Sequence, residues 1–162
     1  MHHVFLGIGG NIGKKQQNFG KVKLFIESEI GKIKSSSSVY ETPPLGFFAD
    51  DNFWNQVFLV DTRLEPDDVL YKIQEIEARF GRKRDAEFYV SREMDIDVLY
   101  YDELSITTDR LIIPHPRIAQ RLFVLVPLAE IAPGYQHPVL KLTNRQLLEQ
   151  CQDDSNIKRL EF

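Results

Sequence analysis

Asp95 and Asp97 stand two residues apart in "MDIDVLYY", at the head of a run, Val98-Leu99-Tyr100-Tyr101, whose branched and aromatic content predicts a strand over 95–101. Side chains at i and i+2 of a strand share a face, so both carboxylates point the same way. Two hard oxygen donors side by side suit Mg²⁺, which takes one or two carboxylates and completes its shell with phosphate oxygens and water. A strand end paired to arginines is the other reading of the same two residues. The neighbourhood tips the balance toward metal. Arg82 and Arg84 in "GRKR" and then Arg92 come just before the pair, and Arg110, His115 and Arg121 follow it. Carboxylates that hold metal, facing guanidiniums that clamp phosphate, are the apparatus of phosphoryl transfer. The residues therefore point to metal-dependent handling of a nucleoside triphosphate.

Aromatic side chains supply the other half of a site. Phe53, Phe123, Leu45, Phe47 and Phe48 exceed what the two short helices need for packing, and a flat heterocycle held between two rings would use them. For Phe47 and Phe48, ordinary core is the competing reading. Other motifs fail. In "GIGGNIGKK" a dinucleotide fingerprint needs glycine where Ile12 stands, and a P-loop needs glycine at Ile8 and a hydroxyl at Lys15. That segment reads as a tight strand-to-helix turn. His2, His3 and Cys151 have no partner at metal-ligand spacing.

These residues need elements to position them. Val4–Ile8 predicts a buried strand closed by Gly9-Gly10-Asn11. Phe19, Val22, Ile26 and Ile30 recur at helical spacing up to Gly31. A second strand is expected over 32–41, a loop over 42–52 and a third strand over 53–62. Pro66 with Asp67 and Asp68 opens a helix whose buried stripe is Val69, Ile73, Ile76 and Phe80, ended by Gly81. A charged loop over 82–92 leads to the strand that carries the two aspartates. The order is βαββαβ, an α+β ferredoxin-like core with an antiparallel sheet and helices on one face. A C-terminal extension adds a partly helical segment over 117–130 and a helix opened by Thr143, with Leu147, Leu148 and Cys151 inward.

The bulk numbers agree with an ordinary globular chain. Its 162 residues predict a single domain over 1–162, and 43% hydrophobic content with net charge −4 offers no basic coat for nucleic acid or membrane. One cysteine excludes an internal disulfide and fits a reducing compartment, and "MHHVFLGIGGN" is too short and polar-flanked for a signal peptide. The expectation is a cytoplasmic monomer.

Several spaced motifs, in order, resemble the 6-hydroxymethyl-7,8-dihydropterin pyrophosphokinase family of folate synthesis. "GGNIG" (9–13) is similar to its glycine-asparagine turn and "YETPPLG" (40–46) to its pterin loop, with Asn55 at the expected distance. "GRKR" before "SREMDIDVL", then "IPHPR", Arg121-Leu122-Phe123 and "PLAEIAP", complete the pattern almost end to end. The resemblance implies transfer of a pyrophosphoryl group from ATP to the pterin hydroxymethyl oxygen, releasing AMP. It implies two Mg²⁺ ions on Asp95 and Asp97, with Arg82 and Arg92 closing onto the triphosphate. Thr42, Pro43, Leu45, Phe53, Asn55 and Phe123 would form the pterin pocket. Gln74, Glu77, Arg84, Tyr89, Val98, Thr108, Arg110, His115 and Arg121 would border ATP.

The chain departs from the family at Tyr89-Val90-Ser91, where many members carry Trp-Gly-Pro, and at Gly10, where they carry a hydroxyl residue. Neither change touches the metal or phosphate groups. The alternatives are another Mg²⁺-dependent phosphotransferase or nucleotidyltransferase built on Asp-x-Asp, and a non-catalytic ferredoxin-like module that binds a small molecule or RNA. An RNA-binding module would show aromatic RNP1 residues on a central strand, where this chain places two acids.

Overall fold

The structure is a computed structural model that describes residues 1–11, 13–43, 52–81 and 94–162. Strand β1 (His2–Gly10) leads to helix α1 (Lys15–Glu29), then to short strands β2 (Gly31–Ser36) and β3 (Tyr40–Thr42). Strand β4 (Phe53–Thr62), helix α2 (Pro66–Arg79) and strand β5 (Asp95–Tyr101) complete the core. The sheet runs β5-β1-β4-β3, every neighbouring pair is antiparallel, and β2 lies on β4 beside β3. A last strand, β8 (Lys158–Arg159), adds to the outer edge of β3, and a small hairpin pairs β6 (Ile106–Thr107) with β7 (Ile112–Ile113).

The expected second strand over 32–41 is two strands, because the serine run breaks it. Ser37 is buried, and its hydroxyl accepts from the Val57 amide at 2.9 Å while donating to the Ser38 carbonyl at 2.8 Å. A side-chain bond thus replaces a ladder bond, and the chain kinks between β2 and β3. Helix α2 begins with Pro66 in its first turn and Asp67 and Asp68 beside the positive end of its dipole. It stops at Gly81, whose φ of 75° suits a residue without Cβ.

Helices α1 and α2 cover one sheet face, where Val4, Leu6 and Ile8 of β1 meet Phe19, Val22 and Ile26, and Val69, Ile73 and Ile76. The two core helices share one face, as the sequence predicts, and the C-terminal extension covers the other. Helix α3 (Leu122–Ile131) and helix α4 (Asn144–Gln150), the latter opened by a Thr143 capping box, pack on the other side around Phe5, Val57, Leu99 and Tyr100. The C-terminal extension therefore builds a second layer. A strip of apolar alternation on β1, β4 and β5 serves each layer.

Candidate active site

The second face changes character along its length. On β1 it reads Phe5, then Gly7 and Gly9; on β4, Val57, then Asn55 and Phe53; on β5, Tyr100 and Leu99, then Asp97 and Asp95. One end is core beneath α3. The other is an open cleft of about 770 Å³, counting its solvent-filled mouth, lined also by Thr42, Arg121 and Phe123.

Strand register fixes this arrangement. Gly9 lies between Asn55 on β4 and Asp95 on β5, and Gly7 lies between Val57 and Asp97. Directly opposed residues in antiparallel strands project to one face. A slip in the β1–β5 register between Phe5 and Leu6 gives Leu99 and Tyr100 to the same side. Both aspartates thus remain on the cleft face while apolar Leu99 and Tyr100 enter the core. The central strand contributes no side chain at the cleft floor. A Cβ at Gly9 would meet Asn55 Oδ1 at 3.0 Å, so the asparagine amide occupies the space the glycine leaves.

Arg121 caps α3 and Phe123 sits in its first turn, with the guanidinium 5.4 Å from the ring centroid, inside cation–π range. The far end of α3 is tied to the sheet by Glu130. Its carboxylate accepts from the Ser38 amide at 2.9 Å, the Ser38 hydroxyl at 2.8 Å and the Tyr40 hydroxyl at 2.9 Å. Burial pushes the Glu130 carboxyl up, but those three hydrogen bonds, with Arg159 behind them, hold it below the usual range. Tyr40 responds in the opposite sense: burial first, then its bond to Glu130, pushes its hydroxyl up to about 12.

His115 is half-buried. Burial lowers its pKa most, Arg121 and Arg117 lower it further, and Asp95 opposes them. Its Nδ1 accepts from the Arg117 amide at 3.1 Å, which leaves the proton of the neutral ring on Nε2.

Of the residues singled out in the sequence, the cleft gathers Thr42, Phe53, Asn55, Asp95, Asp97, Arg121 and Phe123. Gln74 and Arg110 line a separate hollow with Asp67, Leu70, Tyr71 and Asp109. Val98 packs in the α1/α2 core, on the sheet face away from the cleft. Glu77 is buried under β5. The Thr108 hydroxyl serves the β6–β7 turn, accepting from the Leu111 amide at 3.0 Å. Pro43 is exposed where β3 ends. Leu45, Arg82, Arg84, Tyr89 and Arg92, with Phe47 and Phe48, lie outside the described residues. Sequence reasoning missed Gly7 and Gly9 as a floor, since a glycine announces its role only through its neighbours' register.

The donor set suits magnesium. Among the described residues, the carboxylates that line the cleft are Asp95 and Asp97, and these would hold the ion. Mg²⁺ accepts that minimum because it keeps waters and binds substrate phosphate.

The sheet and its two helical layers make a ferredoxin-like α+β fold with a cleft at one end of the sheet. A sequence model of the 7,8-dihydro-6-hydroxymethylpterin-pyrophosphokinase family matches residues 5–133. The chain is 38% identical over 162 residues to the 2-amino-4-hydroxy-6-hydroxymethyldihydropteridine pyrophosphokinase of Methylorubrum extorquens, spanning 99% of this chain and 100% of that one. It is also 38% identical over 159 residues to the Folic acid synthesis protein FOL1 of Dictyostelium discoideum, covering 97% of this chain but 24% of FOL1. The HPPK-DHPS of Plasmodium falciparum superposes with a TM-score of 0.77 at 18% identity, over 92% of this chain and 44% of that one, which shows the fold. The chain belongs to the 7,8-dihydro-6-hydroxymethylpterin-pyrophosphokinase family. Members of this family are ATP-dependent transferases acting on hydroxymethyldihydropterin in folate biosynthesis.

Proposed function

We propose that this chain carries pyrophosphate from ATP to the hydroxymethyl oxygen of 6-hydroxymethyl-7,8-dihydropterin within this one cleft, and releases AMP. The observation that carries the reading is the sharing of one sheet face by Asn55 and Phe53 with Asp95 and Asp97. An amide and flanking rings recognise a planar heterocycle with donors and acceptors on its edge. Carboxylates two strands away, across β1, can hold cations against phosphate. Asp95 and Asp97 would hold two Mg²⁺ ions, which would supply positive charge to the triphosphate.

This chain's own residues do the rest. Asn55 and Thr42 orient the pterin edge, while Phe53 and Phe123 cover its faces and exclude water. Arg121, held beside Phe123, offers positive charge at the cleft wall, and His115 offers an Nε2 proton. Together they align the hydroxymethyl oxygen for an in-line approach. Gln74 and Arg110, in their separate hollow, would meet the nucleoside end of ATP. On sequence alone, Arg82 and Arg92 would close on the triphosphate, with Arg84 and Tyr89 beside them, and Leu45 would complete the pterin pocket. A cytoplasmic monomer is part of the same proposal and rests on composition and the single cysteine. The family match, over residues 5–133, favours this reading over a different phosphotransferase or nucleotidyltransferase.

Binding tests it directly. The pterin titrated into protein should saturate one site, and Asn55→Leu should weaken it while ATP affinity with Mg²⁺ stays the same. Equal pterin affinity in both proteins would contradict the assignment of the cleft.

A further inference from the structure

Among the described residues, strand β5 is an edge of the sheet, with β1 on one side only. Alternate backbone groups of an edge strand have no strand partner. At the outer edge of β5, Glu77 of α2 takes that place. Its Oε2 accepts from the Ile96 amide at 2.9 Å, and the side chain is buried with its residue only 5% exposed. Ile96 is the residue between Asp95 and Asp97. A carboxyl group taken that deep costs stability unless its bonds are made, so its retention there asks for a purpose.

We propose that Glu77 is a positioning residue for the metal pair: by fixing the Ile96 peptide from outside the sheet, it sets the separation and direction of Asp95 and Asp97. The inference rests on the reading of those aspartates as metal ligands. The peptide between them is held from both sides, by β1 through the paired register at Ile8 and by α2 through Glu77. Rotation of that peptide would splay the two carboxylates, and a small displacement at a metal ligand is costly. Glu77 therefore acts on the aspartates through Ile96.

Two conservative variants separate the bond from the charge. Glu77→Gln keeps a carbonyl acceptor at the same reach and removes the charge. Glu77→Asp keeps the charge and withdraws the acceptor by one methylene. Mn²⁺ binding, followed by electron paramagnetic resonance with a non-transferable ATP analogue, reads the site without turnover, and hydrogen exchange at the Ile96 amide reads the bond. Glu77→Gln should bind Mn²⁺ within about twofold of wild type, whereas Glu77→Asp should bind about tenfold more weakly and exchange Ile96 about tenfold faster. Wild-type Mn²⁺ affinity in Glu77→Asp would overturn the inference. So would equal weakening in both variants, or a loss of metal-free nucleotide affinity in both. A wild type that binds no Mn²⁺ would remove the metal reading itself, a distinct failure.

Discussion

Asn55 and Asp95 face each other across a single residue, Gly9, so an amide and a carboxylate stand two strand spacings apart, about 10 Å, on one face. That separation is close to the length of a bicyclic ring with a hydroxymethyl arm. The ring end and the reacting end of one substrate thus have their own protein groups, and the glycine between them keeps the floor open.

Gly9→Ala should therefore damage ring recognition first. Its Cβ would lie 3.0 Å from Asn55 Oδ1, closer than such contacts normally are, so the amide must swing away. Loss of its hydrogen bonds should raise the pterin KM about tenfold while nucleotide affinity holds. Gly7→Ala places its Cβ 3.4 Å from the Leu99 side chain, an ordinary contact, and should cost much less. Steady-state kinetics of the two variants check this; equal effects would mean the floor does not set Asn55.

Asp95→Ala and Asp97→Ala should each lower turnover on the order of a thousandfold, the scale lost when charge stabilisation is removed from a reacting centre. Thermal midpoints should stay level or rise, because neighbouring like charges repel and their removal relieves the strand end. Calorimetry beside rate measurements tests both halves of the statement.

Phe123→Ala removes a cleft wall and the ring under Arg121. Pterin affinity should fall about tenfold, as expected for loss of one stacking face, with ATP affinity within about twofold. Fluorescence titration of each ligand gives the comparison.

Glu130 makes acid sensitivity predictable. Its folded pKa lies below the ordinary carboxylate value, so its contribution is present above that value and disappears as pH falls through the folded pKa. Wild type should lose stability through this acid window more steeply than Glu130→Gln, which has no carboxyl to protonate. Thermal midpoints measured from pH 6 down to about pH 3 read the difference. The variant should also raise the pterin KM modestly, since Glu130 ties α3, which carries Phe123, to the strand that ends at Thr42.

Much of this architecture was legible because periodicity reports burial. Val69, Ile73, Ile76 and Phe80 marked the buried side of α2, and the Asp95/Asp97 spacing marked a shared strand face. Features that depend on tertiary contacts were not legible. The serine run read as one strand because nothing local shows that the Ser37 hydroxyl would bond to the Val57 amide. The layer that Val98 joins was not legible either: its side chain packs in the α1/α2 core, on the face away from Asp95 and Asp97. Nor does the sequence show that Glu77 accepts from the Ile96 amide, a contact that only the fold creates.

The central claim is pyrophosphoryl transfer, and product analysis tests it most directly. The purified chain would be incubated with ATP, Mg²⁺ and 6-hydroxymethyl-7,8-dihydropterin, and the nucleotides and pterins separated. AMP that appears only with the pterin, matched one-for-one by a pyrophosphorylated pterin, is the result expected. Pterin-dependent ADP, or free pyrophosphate with a nucleotidylated product, would contradict it.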